Sequence, residues 1–302
     1  MRRLAFLSMD RLDGFVQDDD LAVAPLAERG WAVETVSWRA EADWAAYEAV
    51  VIRTPWDYQD DPDRFLAVLA GIERETVLEN PLAVVRWNLR KTYLRDLEAR
   101  GVPVVPTRWG EAGTAGAIPA HAAALGADEV VVKPVVSANA DRTHRLRTAR
   151  LGGAAGALAA DFAADFAARA YMVQPFLPAV VTEGEFSLFY FDGAYSHAIL
   201  KTPKARDFRV QEEHGGLIQS VEAEPALRAA GEAVMAHVDR LLYARADFVR
   251  HEGRFLLMEL ELIEPALYFR TDPGSAARFA DAFVARSCRP RISSRSSRPA
   301  SP

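Results

Sequence analysis

Cysteine is nearly missing from this chain of 302 residues, where Cys288 stands alone. A single thiol forms no internal disulfide and no cysteine-based zinc cluster, so nothing in the sequence calls for an oxidising compartment. Long apolar runs are missing too. None approaches the roughly 20 residues of a membrane-spanning helix, and the apolar stretch at 4–7 is too short for a secretory signal before Asp10 and Asp13. A cytoplasmic protein with no membrane partner is expected. A basic excess is equally lacking: the chain carries 36 Lys and Arg against 42 Asp and Glu. The last sixteen residues hold four of those arginines and no acid, which leaves 32 basic residues against 42 acidic ones before them. A general nucleic-acid binder would show a basic face, so no nucleic-acid partner is expected.

Several catalytic signatures are absent. The six histidines, at 121, 144, 197, 214, 237 and 251, have no metal-ligand spacing, and no G-x-S-x-G occurs. The glycines at 152, 153 and 156 tempt a dinucleotide reading, but G-x-G-x-x-G is not there and no clear strand leads into them. Lysine is scarce among the bases, with only Lys91, Lys133, Lys201 and Lys204. Those are positions where a compact ammonium is favoured over a planar guanidinium.

What is present reads first as β-α-β. Strand-like runs at 4–7, 32–36, 49–52 and 76–78 alternate with helical patterns at 21–29 and 64–72. That alternation implies a parallel sheet covered by helices, which binds ligands at the carboxyl ends of its strands. Arg53 follows such a strand, so its fork would face the crevice and hold a substrate carboxylate, with Asp57 beside it as a second candidate substrate residue; an ion pair between the two is the alternative. A helical pattern spans 84–100, and two prolines keep 102–106 extended. A helix at 115–125, a strand at 129–133, a polar loop at 135–144 and an alanine-rich helix at 153–170 follow. Beyond them, 185–191 and 194–201 form a hairpin about Asp192 and Gly193, then comes a helix over 224–242 and a second hairpin within 244–262. The segment after Arg286 is too polar to pack and is expected to be a disordered tail. No internal repeat is found.

The sharpest chemical signal lies in the second hairpin. A strand sends Glu259 and Glu261 to one face and Met258, Leu260 and Leu262 to the other. Whether Asp247 joins the two acids depends on register: a three-residue loop, His251, Glu252 and Gly253, puts it with them, and a two-residue loop puts it opposite. Three acids on one face repel unless cations intervene, and hard oxygen donors suit Mg²⁺. Acids turned to solvent are the competing reading. Lys133 ends a Val-rich strand before Pro134, where burial calls for a compensating anion such as a phosphate, or else the side chain simply leaves the sheet there. Lys91 and Lys201 taken alone read as surface lysines.

The order of these pieces resembles the ATP-grasp ligases over about residues 88 to 270. A lysine precedes Gly101-Val-Pro-Val-Val-Pro106, a second ends a Val-rich strand, then come Val173-Gln-Pro-Phe-Leu-Pro178, Gly184-Glu-Phe-Ser187, and Asp247 with Glu259-Leu-Glu261. Residues 51 to 58, Asn80-Pro81, Trp87-Asn88, and Asp207-Phe-Arg-Val-Gln211 with Gly215-Gly216 add a closer similarity to the O-ureido-serine cyclo-ligase group of cycloserine biosynthesis. Glutathione synthetase and the ribosomal-protein glutamate ligases are more distant. The resemblance implies an α/β and α+β chain with an N-terminal parallel-sheet domain at 1–87. Two ATP-grasp lobes would follow at 88–174 and 175–288, with the tail at 289–302. It implies that Lys91 and Lys133 hold phosphates, that Gln174, Pro175, Phe176 and Leu177 line the adenine pocket largely through backbone, and that Glu185 takes the ribose. Lys201 and Arg209 would meet the transferred phosphoryl group. Asp247, Glu259 and Glu261 would bind one or two Mg²⁺ ions, Glu261 standing where most of the family has Asn. Glycines common in the loop after Lys133 are missing, and Ser137, Asn139 and Arg142 would supply donors instead. His214, beside the two glycines, would contact substrate, or is simply exposed.

The function so implied is an ATP-dependent, Mg²⁺-requiring ligase. It would phosphorylate a small amino-acid-like carboxylate and join it to a nucleophile, within one molecule or between two. A nucleotide-binding module without turnover and a plain interaction protein are the competing classes, and a homodimer is left open.

Overall fold

The computed structural model describes residues 1–151, 164–205 and 207–289. No helix among them is long and apolar enough to cross a membrane. The chain opens on four parallel strands, β1 (Arg2–Ser8), β2 (Trp31–Ser37), β3 (Ala49–Thr54) and β4 (Val77–Glu79), in the order β2-β1-β3-β4. Every residue of β3 is buried, as an interior parallel strand with both faces covered requires. The helix Pro62–Glu75 covers this sheet. Pro62 occupies its first position and the Asp61 carboxylate accepts a hydrogen bond from the Arg64 amide at 3.2 Å, so its start is set locally. The other expected helix is shorter than its pattern, a 3₁₀ turn at Asp19–Ala22 leading into Val23–Glu28.

The single helix expected over 84–100 is two, Leu82–Asn88 and Tyr93–Ala99, with Lys91 in the break. Tertiary hydrogen bonds override the periodicity. The Asn88 side chain donates to the Leu260 carbonyl at 2.8 Å and accepts from the Leu262 amide at 2.9 Å. The Tyr93 hydroxyl accepts from the Leu260 amide at 2.9 Å, and the Lys91 amide donates to the Val135 carbonyl at 2.9 Å. Asn80 acts in the same way, donating to the carbonyls of Tyr243 and Leu262 and accepting from the Leu242 amide. These two asparagines, part of the family-like motifs, are buried clamps on neighbouring backbone.

A small antiparallel sheet follows, β5 (Arg108–Gly110), β6 (Glu129–Pro134), β7 (His144–Arg147) and β8 (Tyr171–Pro175), ordered β5-β8-β6-β7. β5 and β7 were not legible as strands, because three or four residues rich in Arg and His show no apolar alternation. The alanine-rich helix expected at 153–170 lies outside the described residues as far as 163; residues 164 and 165 are helical and the chain has left the helix by Phe166.

The large antiparallel sheet has the order β11-β10-β9-β12-β13, from β9 (Glu185–Phe191), β10 (Ala194–Thr202), β11 (Leu217–Val221), β12 (Tyr243–His251) and β13 (Arg254–Glu261). Asp192 and Gly193 turn the first hairpin, both at positive φ. The extended segment 103–105 lies along the β13 edge, with Val105 donating to the Leu257 carbonyl and Leu257 to the Pro103 carbonyl, so that edge is covered. The helix expected to reach residue 242 stops at Met235.

The helix Ser275–Ser287 returns to the N-terminal sheet. Phe279 meets Phe6 and Phe283 meets Trp31 edge to face, at 6.4 and 4.8 Å between ring centres. One core therefore joins Leu4, Phe6 and Val51 to Phe189, Tyr243, Phe279 and Phe283. Arg289, at the edge of the expected tail, pairs with Asp192 at 2.8 Å, and the rest of that tail lies outside the described residues.

One buried base in this core carries a pH signature. His197 stacks on Phe189 at 4.3 Å and its Nε2 lies 3.0 Å from the Leu267 carbonyl. Burial pushes its pKa down to about 4 from 6.5. The unfolded chain therefore binds the extra proton first, and stability falls as pH drops below the unfolded value. Wild type should lose about 2 kcal/mol more than His197→Gln between pH 7 and pH 5, read from urea midpoints; parallel losses in the two proteins would refute the assignment.

Candidate active site

An open cleft lies between the two antiparallel sheets and reaches the carboxyl end of β3. Lys91, Lys133, Gln174, Pro175, Phe176, Leu177, Glu185, Lys201, Arg209, Asp247, Glu259 and Glu261 all line it, although they come from segments far apart in the chain.

The acids meet by an unexpected route. The β12–β13 loop is the two-residue turn Glu252-Gly253, with φ of 49° and 76° and His251 opposite Arg254. That register alone would send Asp247 to the far face. A β-bulge between Asp247 and Phe248 takes up one extra residue of β13, so that Phe248 faces Leu257 and Asp247 faces Glu259. Met258 is the extra residue. Instead of joining Leu260 and Leu262, it lines the cleft and packs beside Leu177 and Val180.

Cations separate the acids. The Lys201 ammonium donates to Glu185, its cross-strand neighbour, at 2.6 Å and to Asp247 at 3.4 Å. Arg245, two residues before Asp247, donates to it through Nε and Nη2 at 3.1 and 3.0 Å, and also to Glu261. The Ser187 hydroxyl donates to Asp247 at 2.5 Å. Lys91 donates to Glu259 and, at 3.0 Å, to the Ser137 carbonyl. Burial alone would raise Asp247, but Arg245 and Lys201 hold it below its ordinary value. Glu259 is likewise held down against burial, by Lys91 and Lys133. Glu261 is pushed up to about 7 by burial, with Arg245 opposing and Asp247 and Glu259 adding to the rise. Among the described residues no three such side chains converge closely enough to hold a metal ion as they stand. The donor set is nonetheless one of hard oxygens, as Mg²⁺ requires.

Lys133 differs from Lys91 and Lys201. Burial lowers its pKa, with Glu259 opposing and Lys91 adding repulsion, and among the described residues it makes no hydrogen bond or ion pair. Arg209 forms a two-point pair with Asp207, which it holds well below the carboxylate range. In the segment that follows, a Cβ on Gly216 would stand 2.0 Å from the Val210 carbonyl, so the fold-back of this loop needs glycine there. At the adenine-side segment, the Phe176 amide already donates to the Glu129 carbonyl at 2.8 Å, and the Gln174 side chain donates to Thr107.

Three expected substrate residues lie away from the cleft lining. Arg53, 1% exposed, is locked onto Asp19 by bonds of 2.9 and 3.1 Å and onto the Pro265 carbonyl at 3.0 Å, because the 3₁₀ turn at Asp19 folds over the end of β3. Asp57 accepts from Trp38 at 2.8 Å and from Arg39, rather than from Arg53. His214 is 3.4 Å from the Asn139 carbonyl. In the glycine-poor loop, Ser137 and Asn139 line the cleft, whereas Arg142 turns to Asp141 and Asp165. Asn139, Ala140 and Arg142 adopt positive φ without glycine, a conformation costing about 1–3 kcal/mol each.

Sequence reasoning missed Arg245 and Glu264. Arg245 was signalled by its spacing, since alternate residues of a strand share a face with Asp247. Glu264 lies beyond the strand, where no periodicity points anywhere. It is pushed up to about 8 by burial and by Glu261, and the Tyr58 hydroxyl is hydrogen-bonded to it.

A parallel sheet followed by two antiparallel sheets around a cation- and acid-lined cleft is the architecture of the ATP-grasp ligases. The family model described as D-cycloserine synthetase DcsG, N-terminal domain, matches residues 4–80. The cycloserine biosynthesis protein DcsG of Streptomyces lavendulae is 34% identical over 284 residues, spanning 88% of this chain and 94% of that protein. A crystal structure of D-cycloserine synthetase DcsG superposes with a TM-score of 0.80 at 30% identity, covering 94% of this chain and 99% of that one. The ATP-grasp ligase PsnB, solved with a minimal precursor, Mg and ADP, shares the fold at a TM-score of 0.59 and 18% identity, over 95% of this chain and 98% of that one. The chain belongs to the DcsG family of ATP-grasp ligases, and it is an ATP-dependent ligase. The family resemblance seen in the sequence is thus borne out.

Arg245 neutralises the buried Asp247 and the half-buried Glu261 at once. Replacing it with Gln should cost about 3–5 kcal/mol, the usual penalty for leaving a buried charge unpaired. Urea denaturation reads this directly, and an unchanged midpoint would show that Asp247 and Glu261 do not depend on the guanidinium.

Proposed function

We propose that the cleft binds MgATP with its phosphates on Lys91, Lys133 and Lys201 and its adenine against Gln174, Pro175, Phe176 and Leu177, Glu185 taking the ribose. One observation carries this reading: Lys133 is an ammonium held in the cleft against the cost of burial, with Glu259 acting on it from a distance but no anion bonded to it among the described residues, and a phosphate would be that bonded partner. Asp247, Glu259 and Glu261 are the residues that would hold Mg²⁺, which supplies neutralisation of phosphate charge when bound. In this reading residues 88–174 and 175–288 enclose the nucleotide, and residues 1–87 border the substrate end.

The substrate is a small amino-acid-like carboxylic acid. One of its carboxylate oxygens bonds to the γ-phosphorus of ATP as the bond to the β–γ bridging oxygen breaks, releasing ADP and leaving an acyl phosphate. A nitrogen nucleophile then bonds to the acyl carbon, loses its proton, and expels phosphate. Arg245 and Arg209 are placed to balance the charge that moves through these steps. Because the named relatives are a cycloserine biosynthesis protein and a D-cycloserine synthetase, ring closure within one substrate is favoured over joining two.

Lys133→Ala should raise KM for ATP about 10- to 100-fold, the worth of a charge-assisted hydrogen bond; an unchanged KM would refute the phosphate assignment. Glu259→Gln should reduce ADP release by at least about 100-fold with the circular dichroism spectrum unchanged. The reading as a whole is tested by incubating the protein with ATP, Mg²⁺ and a panel of D- and L-amino acids and their hydroxylamine or urea derivatives. ADP release from none of them would count against it.

A further inference from the structure

The cleft has an end that the nucleotide reading does not use, where β3 delivers Trp56 and Tyr58 opposite the turn that follows β13. Glu264 sits in that turn, lines the cleft and is 8% exposed. Among the described residues it forms no ion pair. Its side chain meets the Tyr58 hydroxyl, and its own carbonyl accepts from the Trp56 indole at 2.9 Å, which fixes the turn against the ring. Glu259 and Glu261 also bear on it, and the nearby cation, Lys91, is committed to Glu259 and the Ser137 carbonyl. Set among other acids with only a neutral partner, this carboxyl keeps its proton, and a cation brought by a ligand would let it ionise into a buried ion pair. Two aromatic side chains beside it, Trp56 and Tyr58, 7% and 5% exposed, favour an organic ammonium over a strongly hydrated metal ion.

We propose that Glu264, held by Tyr58 and flanked by Trp56, is a specificity-determining residue that receives a primary ammonium group of the substrate. The inference rests on the ligase reading and adds what that reading lacks, the feature by which the acid is chosen. An acid without a free amine leaves Glu264 unpaired and is selected against. An ammonium held in this ion pair also has no lone pair to offer, so it is not the nucleophile; the nitrogen that displaces phosphate is a different one in the substrate.

Two measurements test the subsite. In the first, D-cycloserine and N-acetyl-D-cycloserine are titrated calorimetrically into the protein with MgADP. Wild type should bind the free amine at least about tenfold more tightly than the acetylated form, as expected for loss of a charge-assisted contact. Glu264→Gln should lose most of that preference and Glu264→Asp should keep it. Tyr58→Phe, which leaves Glu264 in place without its tether, should lower it, so the proposal stays testable if Glu264→Gln does not fold. Equal binding of the two compounds to wild type, or no binding of either, would overturn the proposal. In the second, ADP release is followed over amino acids and their N-acetyl derivatives. Turnover confined to free amines, with KM for ATP and the Mg²⁺ requirement of Glu264→Gln within about twofold of wild type, supports it. Equal use of acetylated acids would leave the ligase reading standing and end this one, as would a shift in the Mg²⁺ requirement instead of substrate KM. ADP release from none of the acids would end the ligase reading itself.

Discussion

Carboxylates gathered in one cleft repel each other, and the alternation of acid with base is the constraint on which the rest of this structure depends. Glu185 faces Lys201, Lys201 reaches Asp247, Arg245 spans Asp247 and Glu261, and Lys91 holds Glu259. Each bond joins residues on different strands or on a strand and a loop, apart from Arg245 and Asp247, which alternate along β12. The same charges that we assign to a polyphosphate and Mg²⁺ therefore also tie β9, β10, β12 and β13 to one another. Lys133 and Glu264 make no ion pair among the described residues, although Glu259 bears on the first and Lys91 on the second. In the proposals made above, those are the two points at which a ligand completes the pairing.

Backbone irregularities decide which side chains take part. The bulge at Met258 reverses what the two-residue hairpin turn would do, and without it Asp247 would face away from Glu259. The break between the helices at Leu82–Asn88 and Tyr93–Ala99 places Lys91 on a turn from which its amide and ammonium both reach the loop after β6. Asn80, Asn88 and Tyr93 stabilise these irregular segments by bonding strand backbone that regular pairing leaves open. The two ends of the chain meet in a common core through Phe279 and Phe283, so the N-terminal sheet that presents Trp56 and Tyr58 is held against the large sheet that presents Glu264.

The wider fold was legible where local signals were strong. The parallel sense of the first sheet, the turn at Asp192-Gly193 and the extended run at 102–106 follow from alternation, glycine and proline, whereas the strand edge which that run covers does not. β5 and β7 were not legible, being short and charged, and the helix over 84–100 was read as continuous because its apolar spacing carries through the break. Arg53 was misread for a related reason: its place at the end of β3 is right, but the turn that brings Asp19 over it is 34 residues away and leaves no local trace.

Taken alone, the sequence determined the inventory and its order: few lysines, an acid pair two residues apart on a strand, two prolines keeping a segment extended, and a succession of motifs shared with one ligase family. These are matters of residue type and short spacing, which the backbone periods of helix and strand translate directly. Only the tertiary structure decided the register of Asp247, the pairing of Arg245, the retreat of Arg53 from the cleft and the approach of Glu264 to Tyr58. Each of those depends on which distant groups compete for the same charge or hydrogen bond, and that competition is settled by packing across the molecule.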